Sequence, residues 1–206
     1  VSPPSRHASR KGEHTRVIIL DHALRLAGAG GIDALTIGTL AESASMSKSG
    51  VFAHFGSRED LQIAVVQEYH QRFQQRVFEA AMREPRGLPR VQALFDGWIA
   101  QATDEIEQGC IYLGGAFEYD DRPGPVRDAL AASITVWRGA LVRACAQAVA
   151  CGHMRTDTDT EQLVFELMGL ILALHMHARF LKHADALART RQGVAHRLAQ
   201  TLATPA

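Results

Sequence analysis

The sequence predicts an all-α protein. Aromatic residues make up only 6% of the chain, and no window alternates polar and apolar residues between turn signals. Apolar residues instead recur at three- and four-residue spacing along most of its length. At 206 residues, 47% hydrophobic and 21% charged, the chain can bury one large core or two smaller ones that share it, and it is too apolar to be intrinsically disordered.

Residues 1–16 carry Arg6, Arg10, Lys11 and Arg16 against Glu13 alone, a net charge of +3. With Ser2, Pro3, Pro4, Ser5 and Gly12 and almost nothing apolar, residues 1–14 read as a disordered basic arm, either a solvated tail or a contact for nucleic acid. From Thr15, the series Val17, Ile18, Leu20, Ala23, Leu24, Leu26 and Ala27 predicts the first helix, ended by Gly28, Gly30 and Gly31. Thr36 is placed to cap a second, short helix through Ile37, Leu40, Ala41 and Ala44, and Ser45 and Ser47 to cap a third over 48–55. Gly56 and Ser57 precede a long helix over 58–82, whose early acids Glu59 and Asp60 suit the helix dipole. Its stripe is Leu61, Ala64, Val65, Tyr69, Phe73, Val77, Phe78 and Ala81, and Pro85, Gly87 and Pro89 break it. A helix over 90–107, a glycine-bearing one over 109–119, a charged proline turn over 120–125, and helices over 126–150, 161–183 and 185–202 complete a count of nine.

Composition narrows the function by exclusion. Net charge is zero, so any charge signal is local. Cys110, Cys145 and Cys151 are odd in number and form no Cys-x-x-Cys pair, against a disulfide framework or a zinc ribbon and in keeping with a reducing cytoplasm. The longest unbroken apolar run, residues 167–174, is shorter than the roughly 18 residues a bilayer span needs, and no secretory segment is expected. There is no glycine-rich phosphate loop, nucleophile elbow or metal-ligand cluster, so neither an enzyme nor a cofactor or metal is expected.

The informative stretch is residues 36–61, TIGTLAESASMSKSGVFAHFGSREDL. Two helices of two turns each are unstable alone and must pack on the first. That makes a three-helix unit whose last member can enter a major groove. Its outward positions carry Ser47, Lys48, Ser49, Gly50 and His54, small or basic groups with no acid among them.

Residues 15–61 resemble, without a gap, the N-terminal DNA-binding domain of the TetR family of transcriptional regulators. The resemblance rests on Ala23, Leu26, Gly31 to Ala34, Thr36, Leu40-Ala41, Ala44, Ser47-Lys48, Phe52, His54-Phe55 and the Ser57-Arg58-Glu59-Asp60-Leu61 run. It implies DNA contacts from Thr36, Ser47, Lys48, Ser49, Gly50, Phe52, His54 and Arg58, with Lys48 and Arg58 on phosphates. Ser45-Met46 stands where the family usually has Gly-Val, a change read as one of packing, and Ala27 where it has an aromatic residue. Phe52 replaces the usual tyrosine and removes a phosphate-reaching hydroxyl. For Phe52 and Phe55, packing outweighs base contact. Gly50 costs the third helix about 1 kcal/mol relative to alanine.

Residues 62–206 hold 15 bases and 16 acids and have no charge reason to bind nucleic acid. The resemblance makes them the ligand-binding and dimerisation domain. The eighth helix, with Leu163, Val164, Phe165, Leu167, Met168, Leu170, Ile171, Leu172, Ala173, Leu174 and Met176, is apolar all round, so one face can cover a core and another a second subunit. In the family the last two long helices pair across a two-fold axis. Tyr69, Phe73, Trp98, Tyr112, Phe117, Glu118, Trp137, Phe165 and His175 are candidates to line a pocket for a largely apolar small molecule, each also readable as a core residue. His175 and His177, two residues apart on a helix, face different ways and do not chelate. The resemblance implies a homodimeric repressor released from a near-palindromic operator by an inducer. A thiol-redox sensor built on Cys110, Cys145 and Cys151 and a helical adaptor are the alternatives.

Overall fold

The computed structural model describes residues 6–203, with side chains from residue 12. Among these residues the chain forms nine helices and no strand: α1 (Arg6–Gly30), α2 (Ile37–Ser43), α3 (Lys48–Phe55), α4 (Arg58–Phe73), α5 (Leu88–Gln108), α6 (Ile111–Glu118), α7 (Pro125–Ala150), α8 (Thr160–Leu174) and α9 (Ala186–Ala199). Both α4 and α8 run on into wider π-type turns, Gln74–Glu79 and His175–Phe180. The apolar stripe expected to make one α-helix of residues 58–82 therefore changes its hydrogen-bond period after Phe73.

The basic arm is a correction. Its residues 1–5 lie outside the described residues, but the backbone is helical from Arg6, so residues 6–14 extend α1 rather than forming a disordered tail. This stretch has no proline, and Arg, Ala, Lys and Glu prolong a helix whose nucleus already exists in residues 15–27.

Two compact units divide the chain, one made of Val1–His70 and Gly109–Ala131, the other of Gln71–Gln108 and Ala132–Ala206. The first unit thus includes α6 as well as the N-terminal helices. In the first unit Ile19, Leu20, Ala23 and Ala27 of α1 share a core with Leu40 and Ala41 of α2, Val51 and Phe55 of α3, and Leu61 and Val65 of α4, all buried. Thr36 and Thr39 form a reciprocal capping box, each side chain accepting the other's backbone N–H at 3.0 Å. The Ser47 hydroxyl accepts from the Gly50 N–H at 3.1 Å and caps α3.

The turn between α2 and α3 holds Ser45 at φ 53°, a left-handed conformation. Ser45 is thus a backbone matter as well as a packing one, since a Cβ in this region costs roughly 1–2 kcal/mol.

In the second unit α5 buries Val91, Leu94, Phe95, Trp98, Ile99 and Ala102, and α8 packs along α9 with Leu163, Val164, Leu167, Ile171 and Leu174 fully inside. The start of α5 is at Leu88, two residues before the expected one, because Nδ1 of His153 accepts the Leu88 N–H at 3.0 Å. Pro125–Ala150 and Thr160–Phe180 are long and apolar enough by composition to cross a membrane, a feature that unbroken apolar runs do not reveal. The five core residues of α8 account for much of that composition in the second of them.

Candidate nucleic-acid interface

On α3 only Val51 and Phe55 are buried. This leaves Ser47, Lys48, Ser49, Phe52 and Ala53 exposed, with Gly50 and His54 partly so. Phe52 is 55% exposed, which corrects the expectation that it packs inward: one residue after Val51, it is turned about 100° round the helix, off the buried Val51 and Phe55 stripe. Phe55 does pack, with the Arg16 guanidinium 4.5 Å above its ring. Arg16 also donates to the His54 carbonyl at 2.9 Å, so α1 holds the C-terminal end of α3 through a residue that local sequence signals did not single out.

Lys48 lies beside the first turn of α2. A Cβ built on Gly38 would meet its Cε at 3.5 Å and its Nζ at 3.7 Å, so the ammonium lies near the capping Thr36. Thr36, Ser47, Ser49 and Lys48 thus offer hydroxyls and a cation around the junction of the two helices, a chemistry suited to a phosphate backbone.

Arg58 differs from the expectation of a phosphate-directed cation. Its guanidinium donates from Nε to the Leu35 carbonyl at 3.2 Å, from Nη2 to the Asp33 carboxylate at 2.7 Å, and also to the Asp33 carbonyl. About half exposed, it is tied to the turn before α2 and its charge is shared with Asp33. Buried Gln62 donates to the carbonyls of Ile32 and Leu35 in the same turn at 2.9 and 3.4 Å.

The candidate ligand residues separate into groups. In the first unit Tyr69 and Tyr112 stack edge to face at 4.7 Å, the Tyr69 hydroxyl lies 3.5 Å from the Cys110 sulfur, and the Tyr112 hydroxyl is hydrogen-bonded to His70. In the second unit Phe73, Trp98 and Trp137 form a trio of near-perpendicular rings with centroids 4.8, 5.4 and 6.3 Å apart. The Trp137 indole N–H is buried without a hydrogen-bond partner. His175 is buried with its Nε2 3.9 Å from Glu105, and burial, followed by the charge of Arg179, lowers its pKa to about 4. His177 is exposed, facing away from His175 as the helical spacing requires, and lies beside His183.

Three further candidates lie outside these aromatic groups. Phe117 and Phe165 are each 72% exposed. Both oxygens of Glu118 are engaged by backbone N–H groups of Ile32 and Asp33, at 2.8 and 2.7 Å. A separate groove of about 510 Å³ in the second unit, between Leu88, Asp96 and Ile99 of the α5 side and Arg191, Val194 and Leu198 of α9, contains none of the predicted ligand residues. Burial pushes the Cys145 thiol up to about 12, against its acting as a reactive thiolate.

Two sequence-family profiles match the chain: bacterial regulatory proteins, tetR family, over residues 19–65, and tetracyclin repressor-like, C-terminal domain, over residues 87–194. Among solved structures, the chain is similar to a TetR transcriptional regulator from Chloroflexus aurantiacus J-10-FL, with 24% identity over 94% of this chain and 98% of that one and a TM-score of 0.84. A TetR-family regulator from Streptomyces coelicolor gives 23% identity, 98% and 96% coverage and a TM-score of 0.76. A transcriptional regulator from Saccharomonospora viridis in complex with choline gives 17%, 94% and 100%, and 0.79. At these identities the likeness is one of fold. No curated protein matches the chain in sequence.

Proposed function

The chain belongs to the TetR family of bacterial regulatory proteins, and on that premise we propose that it is a cytoplasmic homodimeric repressor that leaves a near-palindromic operator when a small molecule binds. The observation that carries the DNA-binding part is the outer face of α3. Ser47, Lys48, Ser49, Gly50, Phe52 and His54 are presented by a helix capped at its start and held by Arg16 at its end, with no acidic residue on it. Lys48 and the hydroxyls of Thr36, Ser47 and Ser49 serve the phosphates, and His54 with Phe52 serves base edges. Arg58 contributes chiefly by holding the turn before α2.

For the dimer, the support is the outer face of α8 and its continuation. Phe165, Leu172, Met176 and Phe180 are exposed, and Gly169 between them has open space above its Cα. Two copies of this face pair across a two-fold axis and set the two α3 helices at successive major grooves.

For the inducer, the support is the Phe73, Trp98 and Trp137 trio with its unpartnered indole N–H, which suits an apolar molecule bearing a hydrogen-bond acceptor. Arg58 starts α4 and Phe73 ends it. A helix of 16 residues is about 24 Å long, so a tilt of 5° at one end displaces the other by about 2 Å. The inducer releases DNA to the extent that it prefers the tilted arrangement.

The test is selection of genomic fragments by the full-length protein, followed by gel shift at low salt and sedimentation of the complex. A selected near-palindrome bound by two chains supports the reading. A protein that retains no fragment overturns it.

A further inference from the structure

The turn that leads into α2 is gripped from three sides. Residues 31–35 connect α1 to the capping Thr36, and five of their backbone groups, the N–H of Ile32 and Asp33 and the carbonyls of Ile32, Asp33 and Leu35, are met by side chains from distant parts of the first unit. Arg58 and Gln62 of α4 hold the carbonyls of Ile32, Asp33 and Leu35. The Asp33 carboxylate bridges Arg58 at 2.7 Å and Arg122, in the turn after α6, at 3.1 Å. From α6, the Glu118 carboxylate takes both the Ile32 and the Asp33 N–H, so that a single side chain supplies the acceptors for two successive amides. Hydrogen bonds to an ionised acceptor are stronger than neutral ones, and two on one group fix its direction as well as its distance.

Close packing removes slack from this arrangement. Gly31 has φ 89°, and a Cβ on it would lie 2.8 Å from a Glu118 oxygen. A Cβ on Gly115, one turn earlier in α6, would lie 2.8 Å from Cδ1 of Ile32. At the other end of α6, a Cβ on Gly109 would lie 1.8 Å from the Gly28 carbonyl oxygen, so the segments meet backbone to backbone. The short helix α6 is therefore docked at its end on the α1–α2 connection, and the residue leading into it on the last turn of α1. Near its start Tyr112 contacts Tyr69 and His70 of α4.

We propose that Glu118 is a positioning residue for DNA binding: its carboxylate sets the 31–36 turn and with it the placement of α2 and α3. This rests on the DNA-binding reading. Both Glu118 oxygens are taken up by backbone N–H groups. Its effect is transmitted through two backbone amides five and four residues before α2 begins.

The direction of the effect separates this role from simple electrostatics. Replacing Glu118 by glutamine removes a negative charge from the DNA-binding unit, which by charge alone strengthens binding to a polyanion. Positioning requires the opposite, because the glutamine amide has one acceptor oxygen and turns an NH₂ toward the second N–H. With the full-length protein and an operator fragment selected by wild type, Glu118→Gln is expected to weaken binding roughly tenfold, about the loss of one charge-assisted hydrogen bond. The salt slope stays unchanged, because no phosphate contact is lost. Hydrogen exchange of the Ile32 or Asp33 amide rises, while that of α8 and α9 does not. The substitution is isosteric at a partly buried site, and an unchanged melting temperature of the bulk transition shows that the loss is not unfolding. Equal or tighter operator binding by Glu118→Gln overturns the proposal while leaving the DNA-binding reading standing. Failure of wild type to select any DNA overturns both.

Discussion

Leu172→Glu should turn the protein into a monomer without unfolding the chain. Leu172 is 44% exposed, in the middle of a face whose other members, Phe165, Met176 and Phe180, are 72%, 55% and 77% exposed. Together these side chains leave on the order of 450 Å² of apolar surface per protomer in water, given about 200 Å² for a large aromatic side chain. Pairing two such faces removes roughly 900 Å², a gross stabilisation on the order of 20 kcal/mol at about 25 cal/mol per Å². Association itself costs about 4–15 kcal/mol, which leaves a net of roughly 5–16 kcal/mol, and a cost in the lower half of that range gives a dimer of micromolar affinity or tighter. The glutamate forfeits about 75 Å² on each chain, together some 4 kcal/mol, and adds a buried carboxylate on each side at several kcal/mol apiece. Dimer affinity should fall by at least ~10³-fold. Sedimentation equilibrium from 0.1 to 50 µM reads this directly, and circular dichroism checks that helix content persists. Leu167→Ala, at a fully buried position on the opposite face, is the contrast: it should lower the melting temperature instead. A Leu172→Glu protein that sediments as wild type would refute the assignment of this face, as would a wild type that is monomeric throughout the range.

Lys48→Ala should weaken operator binding and lower the magnitude of the salt slope by about one, whereas Arg58→Ala, whose cation is already shared with Asp33, should weaken binding with a smaller change in slope; anisotropy titrations from 50 to 300 mM salt decide between them. Ser45→Gly should stabilise the protein by about 0.5–1 kcal/mol in urea unfolding, because relief of the left-handed Cβ outweighs the glycine's added freedom in the unfolded chain. His175 is neutral in the folded protein, with a pKa near 4 against an ordinary value of 6.5. The unfolded chain therefore binds the extra proton first as pH falls. Its contribution is fully present above about pH 6.5 and is lost progressively down to about pH 4. His175→Gln should flatten that part of the stability–pH curve, and an unchanged curve would place the acid sensitivity elsewhere.

Local signals determined the all-helical class, the nine helices among the described residues and the place of the short capped helix α3. Caps and apolar spacing act within about four residues, so Thr36, Ser47 and the inward packing of Phe55 could be read from the chain before any contact was known. Which side of a helix remains free is a different kind of information. The eighth helix is apolar all round, and only packing decided that Leu163, Leu167 and Ile171 face the core while Phe165, Leu172 and Met176 do not. Phe52 was misjudged for the same reason, since a two-turn helix supplies too few residues to define its own buried side. The Ser45 conformation is set by the turn it closes, and the change to π-type turns after Phe73 by the surroundings of α4 rather than by its apolar spacing. Glu118 was the least legible of all. Its partners Ile32 and Asp33 lie 86 and 85 residues away and offer backbone N–H groups, which every residue but proline carries and no residue type announces. Backbone-directed contacts of this kind leave no composition or spacing in the sequence, so the fold alone brings them together.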